Sequence, residues 1–476
     1  MKIAKSPLSP PAANMDSYMN GAPITPKSRG TVQQEDIQQT LDMSNLLGQA
    51  VDIAQAQITK ILKVRSEQNT RLPLPRFLRY FNLNRLFADE CEAVSGRGGM
   101  TLKTVVHTHI KDFVHLAGDM ERQTLVQAMD ADHWDAKDFS EEDDQLLSYI
   151  IDASTKDIEA WTRASIVWSD EAIGVNGDPQ TNGSATNGIA GKDKARIATL
   201  DEQKFILPES AVTALNGIGY FEQLISGIPS MTQEITSSLL EYLKLFNSRS
   251  SQLILGAGAT RSAGLKNITT KHLALASQAL SFVIALTPYV REFVRRHSTG
   301  AGSLMIEFDK VKRLYQEHQA GINDKLIDIM GGRATTHVNV MKKVDWDAPS
   351  ASQAASPYME TLVKETTTLH KVLSKHLPDM TVQMIMDPVF SSYREQWGKA
   401  FQDVDVKTVA GKERMLRDAE LFKSRLSKLD GAADIGDHIL NIVKNKTVAE
   451  PTASAETKPA TTNTSLQEPQ QNGDSA

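Results

Sequence analysis

The chain has 476 residues, which is long enough for two or three domains. Its 52 lysines and arginines against 58 aspartates and glutamates give a net charge of −6, which excludes a global polycation of the kind that holds nucleic acid. The single cysteine, Cys91, excludes an intramolecular disulfide framework and fits a reducing compartment. Hydrophobic residues make up 40% and charged residues 23%, which suits a soluble, helix-rich protein.

Three low-complexity segments flank and separate two folded domains. Residues 1–34 are rich in Pro, Ser, Asn and Gly and are predicted to be disordered, and they begin without the apolar run of a secretory signal. Residues 171–200 contain GVNGDPQTNGSATNGIAG, which has almost no apolar side chain to bury and predicts a flexible linker. Residues 447–476 lack aromatic side chains and are predicted to form a disordered tail. The folded domains are therefore predicted at 35–170 and 201–446.

Both predicted domains show the periodicity of helices. Apolar residues recur in steps of three and four between 304 and 329, and again between 415 and 429. A further stripe lies within residues 36–64, a short candidate coiled coil, and consists of Ile37, Leu41, Val51, Ile58 and Leu62. Alternating strand patterns are scarce, and no fixed repeat is evident. The sequence predicts an all-α protein built of helical bundles in series.

Helix ends and membrane contact can also be judged from the pattern. Pro229, Pro378 and the pair Gly331-Gly332 predict the ends of the helices that precede them. The longest apolar run, 273–286, is interrupted by Ser and Gln side chains, which makes it too short and too polar to span a bilayer. We therefore expect a cytosolic protein whose contact with membranes is peripheral.

A basic segment extends from Lys60 to Arg85, with seven cations, one acidic residue and several interleaved aromatic side chains. Such an amphipathic stretch can lie on an anionic membrane or hold an acidic partner. The alternative is a bundle helix whose solvated face is basic. The candidate membrane or partner surface consists of Lys60, Lys63, Arg71, Arg76 and Arg79.

A glycine-containing stretch between 244 and 280 resembles a phosphate loop but fails on spacing. Arg261 occupies the position of the third glycine of a dinucleotide fingerprint, and Gly264 is followed by Leu265 rather than lysine. The glycines suit a tight interhelical turn instead, with Asn267 or Thr269 capping the next helix. The candidate connector consists of Asn247, Arg249, Gly256, Gly258, Gly264, Lys266 and Thr269. Its cations, with those at 244, 261 and 271, offer a basic recognition surface as the alternative.

Other clusters favour structural roles. The acidic segment 130–144 departs from a calcium loop at the turn position, where Asp135 replaces glycine, and it is predicted to be a solvated connection between helices. His107 and His109 point to different sides of a helix, and His109 with Phe113 predicts packing rather than metal binding. No catalytic arrangement is defensible, and no cofactor or metal site is predicted.

Two separated blocks resemble a known family. FNSRSSQLILGAGA from Phe246 and GLKNITTKHLALAS from Gly264 resemble the signature of the vacuolar protein sorting-associated protein 54 family. A second block, LFADECEAVSGRGGMTL from Leu86 and HIKDFVHLAGDMERQTLVQAMDADHWDAKD from His109, is similar to the same family. The similarity continues thinly from His370 to about residue 440 and corresponds to the C-terminal half of the family.

The resemblance implies a fold and a function. It implies the rod-like helical bundles of multisubunit tethering complexes, and a non-enzymatic subunit of the Golgi-associated retrograde protein (GARP) complex. Such a subunit captures endosome-derived carriers at the trans-Golgi network ahead of SNARE-dependent fusion. The implied partners are other GARP subunits, SNARE proteins, small GTPases of the Golgi and the membrane surface. The implied location is the cytosol and, peripherally, the trans-Golgi network and endosomes.

Two alternatives to a tethering subunit stay open. One is an autonomous peripheral membrane-binding adaptor outside the complex, which depends on the basic residues between 60 and 85. The other is an enzyme that uses the loop from Gly256 to Lys266, which a nucleotide-dependent thermal shift would reveal.

Overall fold

A computed structural model describes residues 29–163, 166, 196–256, 267–300, 302–349 and 353–448. Most of the predicted disorder lies outside these residues, namely the first 28 residues, the linker up to 195 and the tail after 448. Two edges of those segments are described, and there the prediction was wrong. The first helix begins at Arg29, because the glutamine- and glutamate-rich residues after it extend the helix N-terminally. At the end of the predicted linker, Ala198–Leu200 form a strand.

The described residues confirm the all-α prediction. They contain fourteen α-helices and one short antiparallel pair of strands. The helices are, in chain order, α1 (Arg29–Val64), α2 (Ser66–Thr70), α3 (Leu74–Ser95), α4 (Met100–Ala131), α5 (Glu141–Ala153), α6 (Glu159–Arg163), α7 (Glu209–Gly227), α8 (Thr232–Ile254), α9 (Thr270–His297), α10 (Gly302–Met341), α11 (Pro357–His376), α12 (Asp379–Asp403), α13 (Val409–Leu426) and α14 (Ala433–Lys444). A 3₁₀ turn, Pro229–Met231, lies between α7 and α8.

The strands form a hairpin. β1 (Ala198–Leu200) pairs with β2 (Gln203–Phe205), with Ala198 opposite Phe205 and Leu200 opposite Gln203. Asp201 and Glu202 have φ of 50° and 64°, as a two-residue type I′ turn requires. The buried residues Ala198, Leu200 and Phe205 make this hairpin part of the core rather than a loose linker.

The chain folds into two compact units, each made of several segments. Among the described residues, the first comprises those up to Glu121 with 156–163, 166 and 220–238, and the second comprises 122–155, 196–219 and the described residues from 239 to 448. Each unit combines segments that are distant in the sequence, whereas the predicted domains, 35–170 and 201–446, are continuous. Those domains therefore remain a prediction.

In the second unit, α9 is the central helix. It packs on α5, α10, α11 and both strands, so apolar residues on nearly all its faces are buried. Within the described residues it is the one helix long and apolar enough to cross a membrane, but its most apolar window is 72% buried among the other elements. Such burial is what a core helix of a globular unit shows.

The predicted helix ends have different outcomes. Pro229 and Pro378 follow the ends of α7 and α11, as predicted. The prediction at Gly331-Gly332 was wrong, because α10 continues through both glycines to Met341. A glycine costs a helix roughly 1 kcal/mol relative to alanine. The buried side chains that continue the stripe on both sides, Met330, Ala334 and Val338, outweigh that cost.

Candidate functional sites

The basic segment occupies the end of α1, all of α2 and the first half of α3. Lys60, Lys63 and Arg76 are exposed to solvent. Arg71 is also exposed, but it forms an ion pair with Glu67 at 2.9 Å. Arg79 is half-buried. Of the five cations in the candidate surface, three are therefore both exposed and available to a partner, and all three lie in the first unit.

The aromatic side chains of the same segment face the other way. Phe77 and Phe81 are buried, and the Phe77 ring stacks on Phe113 with 3.6 Å between centroids. They fill the contact between α3 and α4, so they are not free to enter a membrane. The apolar side chains that do accompany the cations at the surface are Ile61 and Val64, which end α1.

His109 is a core histidine, as its spacing from Phe113 predicted. It is 2% exposed, and a hydrogen bond of 2.6 Å joins its Nδ1 to the Tyr80 hydroxyl. Burial lowers the pKa of His109 and raises that of Tyr80 to about 12, so both groups are neutral over the physiological range. His107 is exposed, on another side of α4. Within the described residues, no three His, Cys, Asp or Glu side chains group as metal ligands.

The described part of the connector lies at the end of α8 and the start of α9. The Gly256 N–H donates to the Ser251 carbonyl at 3.1 Å, and a Cβ there would meet the Gln252 carbonyl oxygen at 2.5 Å. Glycine is therefore required where α8 ends. Of the two predicted caps, Thr269 is the N-cap of α9, and it forms a reciprocal capping box with His272. Gly258, Gly264 and Lys266 lie outside the described residues.

The described cations around the connector are all held in ion pairs. Arg249 donates from Nε and Nη2 to Asp130 at 3.0 and 2.5 Å. Lys244 pairs with Glu307 at 3.1 Å, and Lys271 donates to Asp135 at 2.5 Å. These pairs leave the three cations with structural partners rather than available to recognise an external acid. Asn247 likewise has an internal partner, since its Oδ1 lies 3.0 Å from His318 Nδ1.

The acidic segment connects α4 to α5, as predicted, but it is not merely a solvated loop. Asp132 is 5% exposed and accepts from the backbone N–H groups of Trp134 and Ser210, both at 2.8 Å. The Lys271 ammonium lowers the pKa of Asp135, and hydrogen bonds from Arg196 lower the pKa of Asp138. We call Asp130, Asp132, Asp135 and Asp138 the acidic clamp.

The acidic clamp fastens several elements of the second unit. Asp130 binds α8 and Asp135 binds α9. Asp138 binds Arg196, two residues before β1, and Asp132 binds the start of α7. Each carboxylate is thus directed to a different element, so they do not converge as the ligands of a calcium loop do. The N–H groups at the start of a helix lack the usual acceptor one turn earlier, and the Asp132 carboxylate supplies one for Ser210 in α7.

Asp132 and its partner Ser210 carry no recognisable sequence signal. Asp132 lies among several similar carboxylates, and its partner Ser210 is distant in the chain. Trp134 gives the only local hint, since a tryptophan in a polar loop has to be buried somewhere. It is fully buried with φ of 54°, a conformation that the Asp132 side chain supports by accepting from the Trp134 N–H.

Comparisons with known proteins match the same region. Residues 202–333 match the family model described as Vps54-like protein. The chain is 25% identical over 424 residues to vacuolar protein sorting-associated protein 54, chloroplastic, of Arabidopsis thaliana, which covers 78% of this chain and 41% of the relative. It is 25% identical over 410 residues to the vacuolar protein sorting-associated protein 54 of Homo sapiens, which covers 85% of this chain and 39% of the relative.

The relatives extend to fungi. The Schizosaccharomyces pombe protein of the same name is 24% identical over 351 residues, which covers 73% of this chain and 35% of the relative. The chain therefore spans about two fifths of the length of the curated relatives it matches. The matched segment includes the α8–α9 connector, and the relatives come from plants, animals and fungi. Together, the family model and the relatives support the assignment of the chain to the Vps54 family.

Proposed function

We propose that the chain is a non-enzymatic subunit of the GARP vesicle-tethering complex, acting in retrograde transport from endosomes to the trans-Golgi network. It captures carriers ahead of SNARE-dependent fusion and lies in the cytosol and peripherally on both membranes. Its partners are the other GARP subunits, SNARE proteins and small GTPases of the Golgi. The observation that carries the proposal is the Vps54-like segment at 202–333, together with relatives that share one sorting name.

The physical arrangement supports a role in binding rather than catalysis. Among the described residues of the second unit, acidic and basic side chains that the sequence singles out pair with one another, as in Arg249–Asp130 and Lys271–Asp135. They hold helices in place and do not face a common cavity. A tether needs long helices that present surfaces, and its avidity comes from engaging several weak partners at once.

The proposal is tested by affinity purification of the tagged full chain from its own cells, with the recovered proteins identified and quantified. Recovery of the other GARP subunits in near-equal amounts is expected. The control is the same tagged chain with Leu280→Asp, which places a charge in the core of α9, where Leu280 is fully buried. Recovery of those subunits with neither chain, or equally with both, would contradict the proposal.

A second candidate function is the autonomous membrane-binding adaptor. The exposed cations Lys60, Lys63 and Arg76 favour it, because each lysine or arginine near an anionic surface contributes about 1 kcal/mol. Its distinguishing property is vesicle binding by the purified chain alone, with strong sensitivity to salt.

A further inference from the structure

Helix α1 uses one side to pack on its neighbours. Its buried side consists of Gly48, Gln55, Thr59 and Leu62, which face α3 and the turn after it. The contact is specific there, since Arg97 in that turn binds Asp52 at 3.2 Å. The stripe predicted from the sequence lies on this side, where Leu62 is buried and Val51 and Ile58 are half-buried. Its N-terminal members, Ile37 and Leu41, are exposed.

The opposite side of α1 carries a second, mostly apolar set of residues. It lies roughly half a turn away around the helix and repeats in steps of three and four, the spacing of a and d positions in a coiled coil. We call this set the outer seam. It consists of the apolar residues Met43, Leu46, Ala50, Ile53 and Val64 and of Gln57 and Lys60, which occupy the two seam positions before Val64. Leu47 and Ile61 lie next to the seam residues, both on the same side of the outer seam.

The outer seam is exposed along its whole length. Met43, Leu46, Ile53 and Val64 are between 63 and 82% exposed. Every side chain from 35 to 47 is exposed as well, because that part of α1 extends past the turn that contacts Gly48. The seam covers about three heptads, or roughly 30 Å of helix. Its uninterrupted apolar part runs from Met43 to Ile53, and an exposed apolar stripe of this kind marks an interface rather than scattered surface residues.

The charges in and beside the outer seam are polarised along the helix. The N-terminal end carries Glu35, Asp36 and Asp42, and the C-terminal end carries Lys60, Lys63 and Arg65. All six are exposed, and none forms an ion pair within the described part of the chain. Two such helices placed in parallel would set like charges together at both ends. Placed antiparallel, they would pair acid with base at both ends, with opposed helix dipoles.

We propose that the outer seam of α1 binds the outer seam of a second copy of this chain, with the two helices antiparallel. The pairing is isologous, so one two-fold axis generates both ends. It sets Ala50 of one copy opposite Ile53 of the other, a small residue against a large one, as an interdigitated core requires. The bodies of the two copies stay clear of each other, because α3 packs on the far side of each α1.

The test is the mass of the purified full chain, measured by sedimentation equilibrium over a wide range of concentration. The unaltered chain is expected to form a dimer. The double variant Leu46→Ser, Ile53→Ser removes two large seam residues, and its dimer dissociation constant is expected to rise by roughly a hundredfold. The matched control is Ile37→Ser, Leu41→Ser, which removes the same two residue types from the other side of the same helix and is expected to leave the dimer unchanged.

Orientation is tested by charge reversal. A Lys60→Glu, Lys63→Glu chain has acidic residues at both ends of α1, and an Asp36→Lys, Asp42→Lys chain has basic residues at both ends. Each alone is expected to be monomeric, and an equimolar mixture is expected to dimerise. A wild-type chain that stays monomeric, or a dimer that survives the two seam serines, would overturn the proposal.

These outcomes do not depend on the tethering function. If the chain is monomeric, but the seam serines and not the control serines lose a co-purifying subunit, the seam belongs to a helix of that subunit and the second copy is excluded. The proposed function is judged by subunit recovery in cells, whereas the second copy is judged by the purified chain alone. Failure of one therefore leaves the other intact.

Discussion

At the scale of single residues, His318 links the α8–α10 contact to pH. It is 8% exposed, its Nδ1 pairs with Asn247, and its Nε2 has no hydrogen-bond partner among the described residues. Protonation would place a charge on that buried atom. Burial accordingly lowers the pKa of His318 from 6.5 to about 4.

The consequence is a loss of stability on acidification. Between the two pKa values the unfolded chain binds the proton and the folded chain does not, so stability falls as pH drops from 6.5 to about 4. The full effect is about 3 kcal/mol. We expect His318→Gln to remove that part of the pH dependence in urea unfolding at about pH 7 and about pH 4.5. The other buried histidines stay in both chains, so the difference between the chains reports His318.

The unaltered chain, unfolded in urea at the same two pH values, provides the control. If His318→Gln and the unaltered chain lose stability equally on acidification, the assignment to His318 is wrong.

At the scale of elements, the acidic clamp supplies a hydrogen-bond acceptor at the start of α7. Asp132 satisfies two buried N–H groups, those of Trp134 and Ser210. Asp132→Ala leaves both donors without a partner, and an unsatisfied buried donor costs about 1 to 3 kcal/mol. We expect the free energy of unfolding to fall by about 2 to 4 kcal/mol in a urea titration.

Glu142→Ala is the matched control for Asp132→Ala. It removes one carboxylate from the same acidic segment, but Glu142 is exposed at the start of α5. Its loss costs less than about 1 kcal/mol, the usual size of a charge–helix dipole contribution. Equal losses in the two variants would mean that charge, not the two hydrogen bonds, makes the clamp important.

Also at this scale, there is a physical reason why some helix ends and contacts could be predicted from the sequence and others could not. Helical periodicity predicted the all-α fold and the ends at Pro229 and Pro378, because both depend on local spacing and backbone geometry. The helix end predicted at Gly331-Gly332 was wrong, because the tertiary packing of α10 outweighs the local cost of glycine in a helix. The clamp partner Ser210 could not be predicted, since nothing local relates it to Asp132.

The candidate sites show the same limit. The basic segment was correctly recognised as amphipathic, but the sequence did not decide which of its faces is inside. Burial of Phe77 and Phe81 settles that for the aromatic residues. The heptad spacing of the outer seam was present in the sequence. However, a helix with two apolar sides gives no indication of which side its own neighbours cover.

At the scale of the whole molecule, the cations of the first unit stand out against a net charge of −6. In the second unit, the described cations near the connector are neutralised by carboxylates, as Arg249 and Lys271 are. Lys60, Lys63 and Arg76 are exposed, and their neighbours at the surface include Ile61 and Val64. Any electrostatic attraction to an anionic membrane is therefore expected to come from the first unit.

We expect the chain to bind phosphatidylserine-containing vesicles at low salt, and to bind them far less after Lys60→Glu, Lys63→Glu and Arg76→Glu together. At about 1 kcal/mol per cation, the loss is tenfold or more in the partition coefficient, measured by vesicle sedimentation. The control reverses Lys325, Lys342 and Lys343, three exposed lysines of the second unit, and produces the same change in net charge. Equal losses would assign binding to net charge and not to this surface.

The vesicle measurement also separates membrane binding from self-association, although both use Lys60 and Lys63. The seam change Leu46→Ser, Ile53→Ser alters no charge, so it is expected to abolish the dimer while most vesicle binding remains. The triple charge reversal is expected to weaken both. If the seam serines reduced vesicle binding as strongly as the reversal, the membrane would be held by the apolar seam, and the cations would only orient it.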